Sequence, residues 1–358
     1  MEIVKSIFPH HGNGTHEEEH PLPDVFTWIK EIDGLYLTFL LLSCCFCTIV
    51  IVLAAIQLYY VIKYVSNERI RTDLYYLVLM FPITTLCSVA GMFILRAAIF
   101  LYAVALVYFM FCLFVTVTLL FNIFGCRRDL AEYCRNKGIK ISFKVPPVCC
   151  CPLPEIESTD ENLRRIEWLV FQTPILRTTL ELISVVVFME LGHRHNLWFM
   201  LAQLGGLLSM CVAFYGCYVI VPLGRPVHAP YKFDYIFRVV DIAQCIYTIQ
   251  KFCFDFGATF EIIAADRLLT ASAKAQYWSS FMLTWEMMVL SALSTYALRP
   301  TKTIFFDKYP VMNSIANCNH VMERGSIKRD ENSGSTNTMD SRVVPVEESG
   351  FQEKFDEI

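Results

Sequence analysis

Seven long apolar runs constrain this chain more than any other feature of its sequence. A helix needs about 20 mostly apolar residues to cross the roughly 30 Å hydrocarbon core of a bilayer, where its backbone groups must bond to one another. The runs of this length are Leu35–Ile62, Leu74–Leu95, Ala97–Phe124, Ile166–Met189, Leu197–Val221, Phe233–Ile263 and Trp278–Leu298. We number them spans 1 to 7. The sequence therefore predicts an all-α, polytopic membrane protein with seven transmembrane helices.

The composition favours the same class. Of 358 residues, 55% are hydrophobic and 18% are charged. The mean hydropathy is +0.45, which is more apolar than a water-soluble domain of this length requires. The net charge of −4 is spread along the chain, without the basic patch that tracks a phosphate backbone. A nucleic-acid-binding function is therefore not predicted.

Basic residues set the expected orientation, because Lys and Arg are enriched in cytoplasmic loops. The segment between spans 3 and 4 alone contains Arg127, Arg128, Arg135, Lys137, Lys140, Lys144, Arg164 and Arg165. With the N-terminus outside, the outer segments together contain only Lys5, Lys30, Arg96, Arg194, Arg267 and Lys274. We therefore expect an extracellular N-terminus and a cytosolic C-terminus.

Three regions follow from this topology. Residues 1–33 are polar and form the expected extracellular segment, and they lack the basic start and short apolar core of a cleavable signal peptide. Residues 34–300 contain the seven spans and a cytosolic cysteine-rich loop at 125–165. Residues 301–358 form a cytosolic tail that is predicted to be disordered. Within it, Tyr309-Pro310-Val311-Met312 has the form of an endocytic sorting signal, a form that also arises often by chance.

Two kinds of covalent modification are predicted. Asn13 is an N-glycosylation acceptor in the sequence Asn13-Gly14-Thr15, on the side expected to be extracellular. Cys149, Cys150 and Cys151 lie in the cytosolic loop, where S-acylation would hold the loop at the inner leaflet. Three free reduced thiols are the alternative. A zinc site is not expected there, because three adjacent cysteines cannot readily reach one tetrahedral ion.

No metal site, cofactor or enzymatic activity is predicted. His193 and His195 beside Glu190, like the histidines of the N-terminal segment, are interpreted as solvated side chains. The sequence contains nothing that resembles a nucleophile elbow, a P-loop, a dinucleotide fingerprint or a zincin motif.

Spans 4 and 6 are unusual because they carry charges, each of which costs about 2.5 to 3.5 kcal/mol at the bilayer centre. At 100° per residue, span 6 gathers its polar side chains on one face. These are Asp234, Arg238, Asp241, Gln244, Thr248, Lys251 and Asp255. Their spacing permits Arg238 to pair with Asp241. It also permits Lys251 to pair with Asp255. The face either lines a path for an amphipathic solute, or forms a buried ion-pair network, or belongs to a helix partly in the interface.

Span 4 repeats this pattern with Arg177 and Glu181 four residues apart, after Gln172 and after Pro174, which is expected to kink the helix. Span 7 adds Glu286, for which a structural carboxyl that is protonated or hydrogen-bonded is the alternative. Arg96, between spans 2 and 3, is interpreted as a snorkelling cation. The candidate residues of a solute path are thus Arg177, Glu181, Arg238, Asp241, Lys251, Asp255 and Glu286.

Several short motifs occur in a characteristic order along residues 35–300. Those of spans 2 and 3 are Phe81-Pro82-Ile83, Leu86-Cys87, Gly91 to Arg96 and Tyr102-Ala103-Val104. Further along are the run Cys149 to Pro154, Phe171-Gln172 with Arg177, Lys232-Phe233 and Glu286. Together they resemble the alpha subunit family of the organic solute transporter, whose members are seven-helix membrane proteins. The chain departs from that pattern at Phe237-Arg238, at Gln250-Lys251 and at the end of span 3, Phe124 to Arg128.

The resemblance implies facilitated, ion-independent movement of amphipathic organic anions, such as steroid conjugates or bile-acid-like molecules, at the plasma membrane. It also implies assembly with a single-span beta subunit, with a homo-oligomer as the alternative. Cationic groups in the path would suit anionic solutes, and Arg177, Arg238 and Lys251 are the candidates.

Two other classes of function are compatible with the topology. A membrane scaffold or trafficking factor without solute flux is the stronger alternative, because an acylated loop and a disordered tail suit the recruitment of partners. A seven-helix receptor is less favoured, since no Asp-Arg-Tyr ends span 3 and no Asn-Pro-x-x-Tyr lies in span 7.

Overall fold

Helices make up most of the described structure. The computed structural model describes residues 23–145, 155–191, 197–260 and 262–309. The helices are α1 Val25–Glu31, α2 Gly34–Tyr64, α3 Glu68–Phe93, α4 Ala98–Phe124, α5 Arg127–Asn136, α6 Asp160–Leu191, α7 Leu197–Ile220, α8 Arg225–His228, α9 Phe233–Thr259 and α10 Ala271–Ala297. Two short strands, β1 Lys140–Ile141 and β2 Ile156–Glu157, pair in antiparallel fashion. All described residues belong to one compact unit.

Seven long helices occupy the positions of the seven predicted spans. By length and apolar composition, α2, α3, α4 and the segment Asp160–Val187 of α6 are candidate membrane spans. A fifth arises if Leu204–Ile220 of α7 and the bent segment Arg225–Tyr231, 91° away, count as one. Within the described residues, α9 and α10 fall outside this set. The chain is therefore an all-α, multi-pass membrane protein with four to five candidate spans. The seven membrane crossings and the orientation of the termini remain predictions.

The centre of the bundle is α4, which packs against α3, α6 and α9. Its side chains Leu106, Phe109, Met110 and Leu113 are fully buried in the main hydrophobic core. Around it, α10 packs on α2, α3 and α9, and α7 packs on α6. A strongly apolar helix therefore lies in the interior of the bundle.

A tight turn joins α3 to α4. A Cβ at Gly91 would lie 3.4 Å from the Cα of Ala98, so glycine lets the two helices approach closely. Pro82 and Pro174 lie inside α3 and α6. Near the second proline, Thr178 Oγ1 donates to the carbonyl oxygen of Pro174 at 2.6 Å.

One end of the bundle, here the α1 end, is closed by a cluster of aromatic residues. Trp28 of α1 is buried, and its Nε1 donates to the carbonyl of Met92 at 3.2 Å. Tyr277 donates its hydroxyl to the carbonyl of Tyr36 at 2.6 Å. The Tyr36 hydroxyl in turn bonds Asp266. Part of the polar N-terminal segment 1–33 is thus a packed helix.

The opposite end is organised around Arg127 at the start of α5. Its Nε donates to Asp160 Oδ1 at 2.8 Å and its Nη1 to Glu167 Oε2 at 2.6 Å, which joins α5 to α6. The strands β1 and β2 bring together the two ends of the cysteine-rich segment. Tyr215 of α7 donates to the carbonyl of Phe143 in the same loop at 2.9 Å. The loop between α4 and α6 is therefore attached to the bundle through several described contacts.

The start of the tail also packs on this end. Phe305 and Phe306, which the sequence analysis places in the disordered tail, are buried in the main core. Lys308 donates its backbone N–H to the carbonyl of Tyr64 at 3.1 Å, and the ring of Tyr309 lies 5.0 Å from that of Tyr64. The packed structure therefore extends beyond the predicted boundary at residue 300.

Candidate functional site

The polar face of α9 points into the bundle over most of its length. Gln244, Thr248 and Lys251 are buried, and Asp241 and Asp255 are half-buried. Arg238 is exposed, nearer the start of the helix. Charged side chains in a membrane helix are expected to face the interior of the protein, because hydrocarbon does not solvate them.

Lys251 and Asp255 form the predicted ion pair, one helical turn apart. Lys251 is only 2% exposed. Its Nζ also lies 5.5 Å from the centroid of the Tyr102 ring on α4, within the range of a cation–π interaction. The lysine is therefore held by an acid on its own helix and by an aromatic face on a neighbouring one.

Arg177 of α6 is the second buried cation, with 4% exposure. Its Nη2 lies 3.1 Å from Glu181 Oε1, which confirms the predicted pairing of these two residues. Its Nε is buried and has no hydrogen-bond partner within the described residues. The guanidinium lies over Gly206 of α7, in space that a Cβ there would enter. Arg177 thus keeps one donor unused in the interior.

A pair of stacked tyrosines lies beside Lys251. The rings of Tyr102 and Tyr247 are 4.8 Å apart and inclined by 12°. Tyr247 donates its hydroxyl to the carbonyl of Tyr102 at 2.9 Å. The Tyr102 ring is the one that lies beneath Lys251 Nζ. The stacked pair therefore joins α4 to α9 next to the buried lysine.

The same tyrosines line a cleft between α3, α4, α9 and α10. Its other lining residues are Cys87, Ser88, Ala98, Gln276, Ser279, Ser280 and Leu283. The cleft encloses about 280 Å³ of empty space, part of it open to the outside. It is narrow in this conformation, with room for about one water molecule. Its lining comes from the end of α3 and the starts of α4 and α10, which places it toward the α1 end.

The remaining carboxylates of the predicted set form hydrogen bonds instead of ion pairs. Glu286 Oε1 accepts from Gln250 Nε2 at 3.2 Å, and Glu286 Oε2 finds no partner within the described residues. Asp241 Oδ2 accepts from the Tyr218 hydroxyl at 2.5 Å. The predicted Arg238–Asp241 pair is wrong, because Asp241 turns toward α7 while Arg238 is exposed.

Comparison with known proteins gives a single family. Residues 39–303 match the family model of the organic solute transporter Ostalpha. The chain belongs to the organic solute transporter alpha family. It is 59% identical to organic solute transporter alpha-like protein 1 of Caenorhabditis elegans over 312 residues, 87% of this chain and 80% of that protein. It is 29% identical to the alpha-like protein 3 of the same organism, over 86% of this chain and 90% of that protein. No solved structure matches the chain.

Membership in this family makes the chain one of a group of solute transporters, as the sequence motifs indicate. Of the residues that carry the resemblance, Cys87 and Tyr102 line the cleft, and Gly91 permits the turn beside it. Arg177 and Glu286 are the buried and half-buried charges described above. Part of the motifs of the organic solute transporter alpha family thus lies around the interior polar groups.

Several residues of this site escape sequence reasoning. Gln276, Ser279 and Ser280 are polar residues at helical spacing near the start of α10. This periodicity is a signal by which the sequence could have indicated a polar face there. Asp73 of α3, just before predicted span 2, is buried and accepts from Asn122 Nδ2 at 2.6 Å. Tyr247 and Gly206 carry no signal in the sequence, because their importance depends on which helix lies opposite.

Some predicted sites cannot be placed. Asn13, Cys149, Cys150 and Cys151 lie outside the described residues, as do His193 and His195. Within the described ranges, no group of three or more His, Cys, Asp or Glu side chains is arranged to hold a metal ion.

Proposed function

We propose that this chain moves amphipathic organic anions, such as steroid conjugates or bile-acid-like solutes, across the plasma membrane by facilitated diffusion. The observation that carries the proposal is Arg177, a buried cation in the interior of the bundle whose Nε donor has no partner within the described residues. A polar donor left unpaired in the interior is costly, and an anionic solute supplies the missing acceptor. A sulfate or carboxylate suits the planar guanidinium especially well.

The resident acids support reversible binding. Arg177 and Lys251 each lie beside a carboxylate, Glu181 and Asp255 respectively. An anion that enters therefore competes with an internal partner and does not meet a bare positive charge. Transport requires binding that is favourable enough for entry and weak enough for release, and this balance of charge favours both.

The stacked tyrosines support the apolar half of the solute. Aromatic side chains bury large areas of flat apolar surface, and Tyr102 and Tyr247 both line the cleft. An amphipathic anion with a rigid ring system would place its charge by Arg177 or Lys251 and its rings along these tyrosines.

Lipid and a partner subunit would contact the outer faces. In the apolar windows of α2 and α6, only 28% and 17% of residues are buried. Such surface suits lipid, a single-span beta subunit or a second copy of the chain. S-acylation at Cys149, Cys150 and Cys151 and glycosylation at Asn13 belong to this proposal as well.

Uptake of a labelled steroid sulfate tests the function. Cells that express the full chain, with and without a single-span partner, are compared with cells that express Arg177→Gln, each normalised to the amount of protein at the surface. We expect uptake by the parent protein and a loss of about tenfold or more in the variant, the size expected when a charge-assisted bond of about 1.5–3 kcal/mol is removed. Absence of uptake by the parent protein with its partner would favour a membrane scaffold.

A further inference from the structure

Gln276 presents an unused acceptor to the cleft. The side chain is 6% exposed and lies on α10 among the lining residues. Its Nε2 makes a long bond of 3.4 Å to Ser280 Oγ. Its Oε1 is buried and has no hydrogen-bond partner within the described residues. Buried polar atoms are nearly always bonded, so this oxygen marks a position for a donor from outside the chain.

The surroundings of Gln276 suit a neutral hydroxyl group. Ser88, Ser279 and Ser280 contribute further hydroxyls, and none of the lining residues that the structure describes is charged. The free space is about that of one water molecule, which is also the size of one hydroxyl group. Ala98 and Leu283 complete the lining with apolar surface. An ammonium group would find no counter-ion among these residues.

Gln276 and Lys251 both lie close to the stacked tyrosines. Tyr102 and Tyr247 line the cleft together with Gln276. Lys251 Nζ lies 5.5 Å from the centroid of the Tyr102 ring. A single ring-bearing solute beside these tyrosines would thus meet both a cation and Gln276.

We propose that Gln276 determines specificity by accepting a hydrogen bond from a hydroxyl group at the neutral end of an amphipathic anion. This inference rests on the proposed function, since it assigns the charged end of the same solute to the cations. It narrows the ligand class to ring-bearing organic anions that carry a hydroxyl donor in addition to their charge. A site that accepts a hydroxyl proton discriminates against the analogue that lacks it, because the acceptor is then left unpaired.

Equilibrium binding to the purified full chain tests this proposal separately from transport. The probes are labelled oestradiol 3-sulfate, with its 17-hydroxyl, and the 17-deoxy analogue. We expect the parent protein to bind the hydroxylated probe about threefold to tenfold more tightly, the value of one neutral hydrogen bond. Gln276→Leu is expected to abolish this preference and to leave binding of the deoxy probe unchanged.

A matched control is Gln57→Leu on α2. Gln57 is also partly buried, but its Nε2 donates to Thr295 Oγ1 at 2.6 Å, near the end of α10 away from the cleft. This variant should keep the preference of the parent protein. If Gln276→Leu does not fold, Gln276→Met, which is closer in shape, carries the same prediction.

Three results would overturn the assignment of Gln276: equal binding of both probes by the parent protein, a preference that persists without the glutamine, or no binding of either probe. A persistent preference would mean that another group accepts the hydrogen bond from the hydroxyl. A preference for the hydroxylated probe without any flux of it would contradict the transport function and leave the role of Gln276 intact.

Discussion

The guanidinium of Arg177 on α6 occupies the space over Gly206 on α7 that a methyl group would fill. The neighbouring Gly205 has no such constraint, since a Cβ there would meet only Leu180 Cδ1, at 3.8 Å. Two adjacent glycines on one helix therefore differ in what they permit. Gly206 leaves room for the guanidinium of Arg177, whereas Gly205 does not contact it.

This difference predicts opposite effects of the same substitution. Gly206→Ala is expected to displace Arg177 or separate the helices, at a cost of about 1–3 kcal/mol for overpacking, and to reduce steroid sulfate uptake severalfold. Gly205→Ala is expected to be neutral or to stabilise the fold by up to about 1 kcal/mol through helix propensity. Thermal unfolding and surface-normalised uptake of both variants provide the measurement. Equal behaviour of the two variants would show that the Arg177–Gly206 contact is unimportant.

The buried pair Lys251–Asp255 should be strongly coupled. Removing one partner leaves the other charge in the interior, which costs about 3–5 kcal/mol for a buried pair, whereas removing both costs much less. We therefore expect Lys251→Met and Asp255→Asn to destabilise the protein singly, and the double variant to be more stable than the sum of the two effects predicts.

The control for this cycle is Arg165–Glu161 on α6. It has the same four-residue spacing and a distance of 2.7 Å, but its side chains are 72% and 76% exposed. Its coupling should be at most about 1 kcal/mol. Unfolding in micelles measures both cycles, and a coupling for Lys251–Asp255 as small as that of the exposed pair would contradict a buried site.

The loop before α10 should make stability depend on pH. The hydrogen bond from Tyr36, and next the bond from Lys274 Nζ at 2.9 Å, hold the pKa of the Asp266 carboxyl below its usual range. Because the folded pKa is lowered, this contribution is complete above the unfolded value of about 3.9 and is lost as pH falls through the folded pKa. Below both values it disappears.

We therefore expect the difference in melting temperature between the parent protein and Asp266→Asn to be constant above about pH 5 and to shrink below about pH 4. Glu161→Gln, at the exposed pair on α6, should show no comparable change because exposed pairs contribute little. A difference for Asp266→Asn that grows on acidification would refute the assignment.

Sequence reasoning succeeds where both partners lie on one helix. The pairs Arg177–Glu181 and Lys251–Asp255 follow from the 3.6-residue period, which places residues four apart on the same face. Asp241 fails the same reasoning because its partner, Tyr218, lies on α7. The choice between Arg238 and Tyr218 depends on which face of α9 packs against α7, and the sequence of one helix does not contain that information.

The ends of the fold show a similar limit. Trp28 and Phe305 lie in segments that are polar on average, and local composition therefore does not predict that either side chain is buried. Each is nevertheless buried, because it fits a hydrophobic surface formed by distant helices. Single aromatic residues near the edges of the apolar runs thus mark the limits of the packed structure better than the runs themselves do.

Flux into sealed vesicles tests the central claim most directly. Vesicles that contain the purified chain, alone and with a single-span partner, are given a labelled steroid sulfate and, separately, the same steroid without its sulfate. We predict saturable entry of the sulfate that exceeds entry into empty vesicles, needs no sodium or proton gradient, and falls when Arg177 is replaced by Gln. Entry of the sulfate at the rate of empty vesicles, with the partner present, would contradict the account.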